Sequence, residues 1–254
     1  MLKKCLKCNE NFNADSKIRK FCSRSCANSF NATKRKVHDN SLYTAGMNTF
    51  NAYVLGLIYS DGCLSFDEHS NRYRITITMN EYDLMECLNK FICPTKKLYK
   101  YKHPKGREFS YSVITTNEFD VNFLKELGLI ERKSKSIMLP VLPNNLMSHF
   151  IRGYFDGDGS VYVNKTKQII NKKVKYYKYI NCSFTTGSIK FAEQLRNVLF
   201  NNDIENTLVA DSRRSDNFYV KIYKKESIKK FYNYIYKDDS LYIKRKHLRF
   251  AKMI

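Results

Sequence analysis

Val54-Leu-Gly-Leu-Ile-Tyr-Ser-Asp-Gly62 and Ile151-Arg-Gly-Tyr-Phe-Asp-Gly-Asp-Gly159 decide how the chain is read. Each is an apolar, helix-like run ending in Asp-Gly. Alone, either would read as a buried helix followed by a turn. Together they say more. Asp61 and Asp158 lie 97 positions apart (158 − 61), and 96 residues follow the second (254 − 158). Two modules of nearly equal length are what an internal duplication produces. Glycine inside a helix costs about 0.5–1 kcal/mol, and close approach of two helix backbones is the usual return. Gly56 and Gly153 each stand five residues before the aspartate. If the two helices cross there, Asp61 and Asp158 stand side by side at two helix C-termini. The helix dipoles deepen that negative spot, which calls for a cation, and hard carboxylate oxygens select Mg²⁺ or Mn²⁺.

The likeness continues outward from the two motifs. Arg74–Thr78 alternates like a strand, as does Asn181–Thr185. Leu84–Leu88 and Phe191–Leu195 read as helices. Phe109–Val113 is matched to Phe218–Ile222, which sets Ser112 opposite Lys221. Helices close the modules at Val121–Leu129 and Ser227–Tyr236. The order is helix, two strands, helix, two strands, helix, twice over: an α+β class with antiparallel sheets. The expected divisions are 1–47, 48–145 and 146–254.

Lys and Arg number 45 against 24 Asp and Glu, a net charge of +21 on 254 residues. Such an excess suits a polyanion, either nucleic acid or an anionic membrane. No run of about 18 apolar residues marks a transmembrane helix. The start carries no apolar signal core, so a cytoplasmic or organellar location is expected. There, cysteines are thiols or metal ligands rather than disulfides. Cys5 and Cys8 form one CxxC pair; Cys22 and Cys26 form a CxxxC pair after 13 intervening residues (22 − 8 − 1). Two close thiolate pairs on a short loop fit tetrahedral Zn²⁺, which would fold a segment too small to fold alone around Phe12 and Phe21. Ala27–Met47 reads as a short helix and then a linker, with a Lys34-Arg35-Lys36 cluster able to track phosphates. Cys63, Cys87, Cys93 and Cys182 read as small core residues.

The paired motifs resemble those of single-chain LAGLIDADG homing endonucleases, over about Phe50 to Ile254. The second copy, with Gly153, Asp156, Asp158 and Gly159, is close to the family pattern. In the first, Tyr59 and Ser60 replace the first acidic residue and the small one after it, and Leu55 replaces a small residue. The stretches Leu127-Gly-Leu-Ile-Glu-Arg-Lys133 and Tyr242-Ile-Lys-Arg-Lys246 are also typical. The amino-terminal cysteines resemble zinc modules appended to intron-encoded nucleases.

The resemblance implies a monomer that cuts both strands of a long double-stranded DNA site. Divalent metal would sit at Asp61 and Asp158, with the carbonyls of Ser60 and Gly157 as further ligands. Lys221 would be the lysine near the phosphate, Ser112 making the first centre unequal. The two sheets would form a DNA-binding saddle. Its basic residues would be Arg72, Arg74, Lys100, Lys102 and Arg107 in the first half. In the second they would be Lys165, Lys167, Lys173, Lys175, Lys178, Arg213 and Arg214. A maturase that binds group I intron RNA, or a DNA-binding regulator that does not cut, are the rival readings. Retention of both aspartates favours the nuclease.

Overall fold

The computed structural model describes residues 1–35, 40–102, 108–170, 173–214, 216–238 and 241–254. It divides into two compact units, Met1–Asp39 and Asn40–Ile254. The first holds an antiparallel pair, β1 (Leu2–Lys4) and β2 (Asn11–Asn13), followed by helix α1 (Arg24–Arg35). Its interior is small. The rings of Phe21 and Phe30 meet at 5.1 Å, and the Arg19 guanidinium lies over Phe12.

The expected linker to residue 47 ends early, because residues 40–47 fold onto the second unit. The Asp120 carboxylate accepts from Ser41 Oγ at 2.6 Å and from the backbone N–H groups of Leu42 and Tyr43 at 2.9 and 3.2 Å. Leu42 and Tyr43 are thereby drawn into the core.

The second unit is built twice to one plan. Helix α2 (Thr49–Ser60) leads into β3 (Gly62–Asp67), β4 (Arg72–Met79), α3 (Tyr82–Ile92), β5 (Tyr99–Lys102), β6 (Phe109–Thr115) and α4 (Glu118–Glu126). Helix α5 (Asn144–Asp158) leads into β7 (Gly159–Ile170), β8 (Lys173–Thr186), α6 (Ile189–Asn201), β9 (Thr207–Ala210), β10 (Phe218–Ile222) and α7 (Lys225–Ile235). Both four-stranded sheets are antiparallel and share one order, β3-β4-β6-β5 and β7-β8-β10-β9. A last helix, α8 (Lys244–Ala251), has no counterpart in the first half, where a 3-10 turn (Lys133–Lys135) is followed by irregular chain.

Helix α2 is capped by reciprocal bonds between Asn48 and Asn51, which satisfy two free N–H groups of its first turn. It is buried all round from Asn51 to Tyr59 because α5 covers one side and the first sheet another. The two helix backbones touch. A Cβ at Gly56 would lie 2.1 Å from the Phe150 carbonyl oxygen, and one at Gly153 would lie 2.0 Å from that of Tyr53. Only glycine leaves room for that crossing.

Candidate active site

Crossing at the glycines brings the C-terminal ends of α2 and α5 together. Asp61 closes α2, and Asp158 is the last residue of α5. A Cβ on Gly157 would lie 2.3 Å from Asp61 Oδ2, so the α5 chain runs directly against that carboxylate. Burial raises the pKa of both acids; Asp158 is pushed up to about 6, by burial first and then by the charge of Asp61.

Two buried lysines answer these acids. Lys133 and Lys246 are only 8% and 9% exposed. The Lys246 ammonium donates to the carbonyls of Phe155, Asp156 and Gly159, each at 2.7 Å, and reaches that of Gly157 at 3.5 Å. Lys133 does the same for α2, donating to Gly62 O and reaching Ser60 O at 3.4 Å. Each thus closes the helix of its own module, as a cation at a helix C-terminus should. Both lysines also lower the pKa of both aspartates, so the two acids and the two lysines form one electrostatic cluster. Burial lowers both ammonium groups, Lys246 to about 8.

The residue two before each aspartate anchors the lysine-bearing segment. Asp156 Oδ2 accepts from Tyr53 O–H and from Ile243 N–H, both at 2.8 Å. At the matching position Tyr59 O–H donates to the Leu127 carbonyl at 2.8 Å. The acid and the tyrosine are different chemistry with one task, which explains how the first copy tolerates its departure from the second.

Lys221 shares the open face of the second sheet with Ser183 and Ser160, the latter one residue past Gly159. It stands mid-strand on β10 opposite Ser183, with its ammonium 5.1 Å from the centre of the Tyr219 ring. Its structural partner in the first module is not Ser112. Gly62 pairs with Ile77 and Ile77 with Val113; Gly159 pairs with Phe184 and Phe184 with Val220. Val113 therefore matches Val220, and Lys221 matches Ile114. The sequence matching slipped by two residues, which in a strand leaves every side chain on its original face.

The same registers sort the basic residues. Ile75, Ile77, Val113, Cys182, Phe184 and Val220 are buried on the helix side of the sheets. Arg72, Arg74, Lys173, Lys175 and Lys221 alternate with that set and stand on the open face. Lys165, Lys167 and Lys178 leave by the other face of the β7–β8 ribbon. Lys100 and Lys102 pair with Tyr111 and Phe109, so they too are on the helix side, with Lys100 Nζ 3.8 Å from the Phe109 ring centre. Arg213 and Arg214 lie exposed between β9 and β10, and Arg107 lies outside the described residues. The ribbons are unequal: β7 and β8 run 12 and 14 residues, β3 and β4 only 6 and 8.

In the first unit the Sγ atoms of Cys5, Cys8, Cys22 and Cys26 all lie within 4.8 Å of one another. Cys8 and Cys22 are 3.6 Å apart, and Cys22 and Cys26 3.5 Å. Four thiolates about 2.3 Å from one Zn²⁺ would be separated by about 3.8 Å, so the donor set fits that ion. Burial pushes the Cys5 thiol up, but the N–H groups of Cys8, Cys22 and Lys7 together bring it down to about 6. Of the remaining cysteines, Cys93 and Cys182 are buried, whereas Cys63 and Cys87 are exposed and take no part in a core. Cys63 follows Gly62 on β3, and the strand alternation turns it to the open face.

A cleft of about 510 Å³ opens on the Asp61 side, lined by Asp61, Gly157, Ser160, Thr78 and Asn80 and by Arg245, Lys246 and Arg249 of α8. Lys246 and the rest of α8 line this part of the site, and sequence reasoning gave neither them nor Lys133 a role. A signal existed: Arg132-Lys133 and Arg245-Lys246 recur 113 positions apart (246 − 133).

Residues 145–236 match the family model described as a LAGLIDADG-like domain. Among solved structures, the fold is similar to the LAGLIDADG meganuclease I-AabMI bound to uncleaved DNA. That likeness has 16% identity and a TM-score of 0.55, covering 82% of this chain and 90% of that one. It is also similar to I-SmaMI bound to an uncleaved DNA target with calcium ions (16%, TM-score 0.56, 82% and 90% covered). Mesophilic variants from the homing endonuclease I-DmoI give 19% and 0.53, with 79% and 96% covered. No curated protein sequence matches the chain. Among the described residues no helix is long and apolar enough to cross a membrane.

Proposed function

We propose that this chain is a site-specific DNA endonuclease of the homing type. It would lay its two sheets along a long duplex and hydrolyse one phosphodiester in each strand. The observation that carries this reading is the pair of aspartates, Asp61 and Asp158, at two abutting helix ends with Lys133 and Lys246 buried beside them, in a chain of net charge +21. A single copy supplies both centres, so a monomer suffices for a double-strand break.

The donor set suits a hard divalent cation. Two carboxylates, both raised by burial and Asp158 also by the charge of Asp61, gain from one, and the Ser60 and Gly157 carbonyls, each with a second lone pair, stand beside them. Asp61, Asp158 and these two carbonyls would hold Mg²⁺ or Mn²⁺, which when bound supplies Lewis-acid activation of water and charge for the leaving oxygen. Lys133 and Lys246 would neutralise charge developing on the phosphate oxygens. Arg72, Arg74, Lys173 and Lys175 on the open faces, with Arg213 and Arg214, would contact phosphates, which position the duplex without reading it. Cys5, Cys8, Cys22 and Cys26 would hold Zn²⁺ in a small unit that lengthens the footprint.

Selection of cut sites from a pool of duplex DNA tests the reading. Purified protein with Mg²⁺ is expected to break both strands at one long sequence, and EDTA to abolish the breaks. A protein that retains duplex or structured intron RNA in Mg²⁺ and never cuts would replace this reading with a regulator or a maturase.

A further inference from the structure

Arg249 lies three residues after Lys246 and four after Arg245 on α8, so the three cations share one helix face. That face lines the cleft beside Asp61. Two of the three are already committed. Lys246 closes α5, and Arg245 Nε is held 2.6 Å from Glu81 Oε1. Arg249 is exposed, and among the described residues no carboxylate pairs with it. Of the acids of the cleft, Glu81 is taken by Arg245 and Asp156 by Tyr53 and the Ile243 N–H, and among the described residues Asp61 forms no ion pair with Arg249.

The sequence repeat gives the other centre no matching arginine. Lys133 corresponds to Lys246 at a spacing of 113, so the counterpart of Arg249 is Ser136, in chain that forms no helix. We propose that Arg249 is a phosphate-positioning residue of the Asp61 centre alone, gripping the DNA backbone next to the bond cut there, so that the two strands are cut unequally. This rests on the endonuclease reading and adds an order to it. A guanidinium suits the task because its planar fork binds two phosphate oxygens at once, where an ammonium is a point charge.

The test uses end-labelled duplex and the full chain, with Asp61→Asn marking which strand belongs to that centre. Arg249→Ala should slow cutting of that strand by about ten- to hundredfold and change the other by no more than about twofold. Arg249→Lys should recover part of the loss, since it keeps the charge and loses the fork. Ethylation interference should show one phosphate on that strand whose modification weakens binding of the wild type but not of Arg249→Ala. Equal slowing of both strands, or an interference pattern unchanged by Arg249→Ala, overturns the proposal. A wild type that binds and cuts neither strand counts against the endonuclease reading, and the interference pattern still decides Arg249.

Discussion

Asp158 is a carboxylate held where a carboxylate is costly. Its pKa rises from the ordinary 3.8 to about 6, because burial and the neighbouring Asp61 both oppose its charge. Folding therefore makes Asp158 take up a proton between about pH 4 and 6. The penalty on the metal-free protein is full above that window and gone below it. Asp158→Asn should accordingly stabilise the chain in EDTA by on the order of 1–3 kcal/mol at pH 7.5, and the gain should vanish near pH 4. Urea unfolding at the two pH values measures it. The lysines supply a second contrast. Lys133→Met or Lys246→Met, read by strand-resolved cutting rates, should cost about 100-fold or more. The aspartates were legible in the sequence because they repeat inside a recognisable motif. The lysines were legible only as a repeat, Arg132-Lys133 and Arg245-Lys246, whose spacing says nothing of the acids they stand near in the folded chain.

At the scale of elements, everything depends on one helix crossing. Gly56→Ala places a methyl 2.1 Å from the Phe150 carbonyl oxygen, a backbone atom that cannot step aside. Gly153→Ala meets Tyr53 O in the same way. Each should destabilise the second unit by about 3 kcal/mol or more, seen as a lower denaturation midpoint with loss of near-ultraviolet dichroism. Those glycines could be read in the sequence because an apolar helix has few other reasons to carry one. Strand positions were harder. The match between Phe109–Val113 and Phe218–Ile222 is off by two, and period-two alternation hides such a slip. For the same reason Lys100, Lys102, Lys165, Lys167 and Lys178 could not be told from Arg72 and Arg74. All are cations on alternating strands, and only the pairing register reveals which face each occupies. Helix α8 escaped notice because its basic, polar composition reads as a tail until Phe250 is seen buried against Phe155 and Phe231.

At the scale of the molecule, the chain combines a small cysteine-bearing unit with a duplicated core. The first unit has little apolar interior, so its fold should depend on its metal. One Zn²⁺ per chain is expected by elemental analysis, and its removal by a chelator should unfold residues 1–39 while leaving the core intact. Part of this unit's charge is spent internally: Lys3 Nζ bonds the carbonyls of Ser16 and Arg19, and Arg19 pairs with Asp15. Deleting residues 1–39 should weaken DNA binding and flatten its dependence on salt, by about 0.9 in log–log slope for each phosphate that the unit neutralises.

The central claim is that Asp61 and Asp158 each serve one strand of a double-strand cut. Strand-resolved cleavage by Asp61→Asn and Asp158→Asn, run beside a gel-shift titration, tests it most directly. Asparagine keeps the shape and removes the charge that holds a hard cation. Each variant should bind the duplex at least as tightly as the wild type, because affinity rests on the basic sheets, yet make no double-strand break and leave at most a nick in one strand. Full double-strand cutting by either variant would contradict the account.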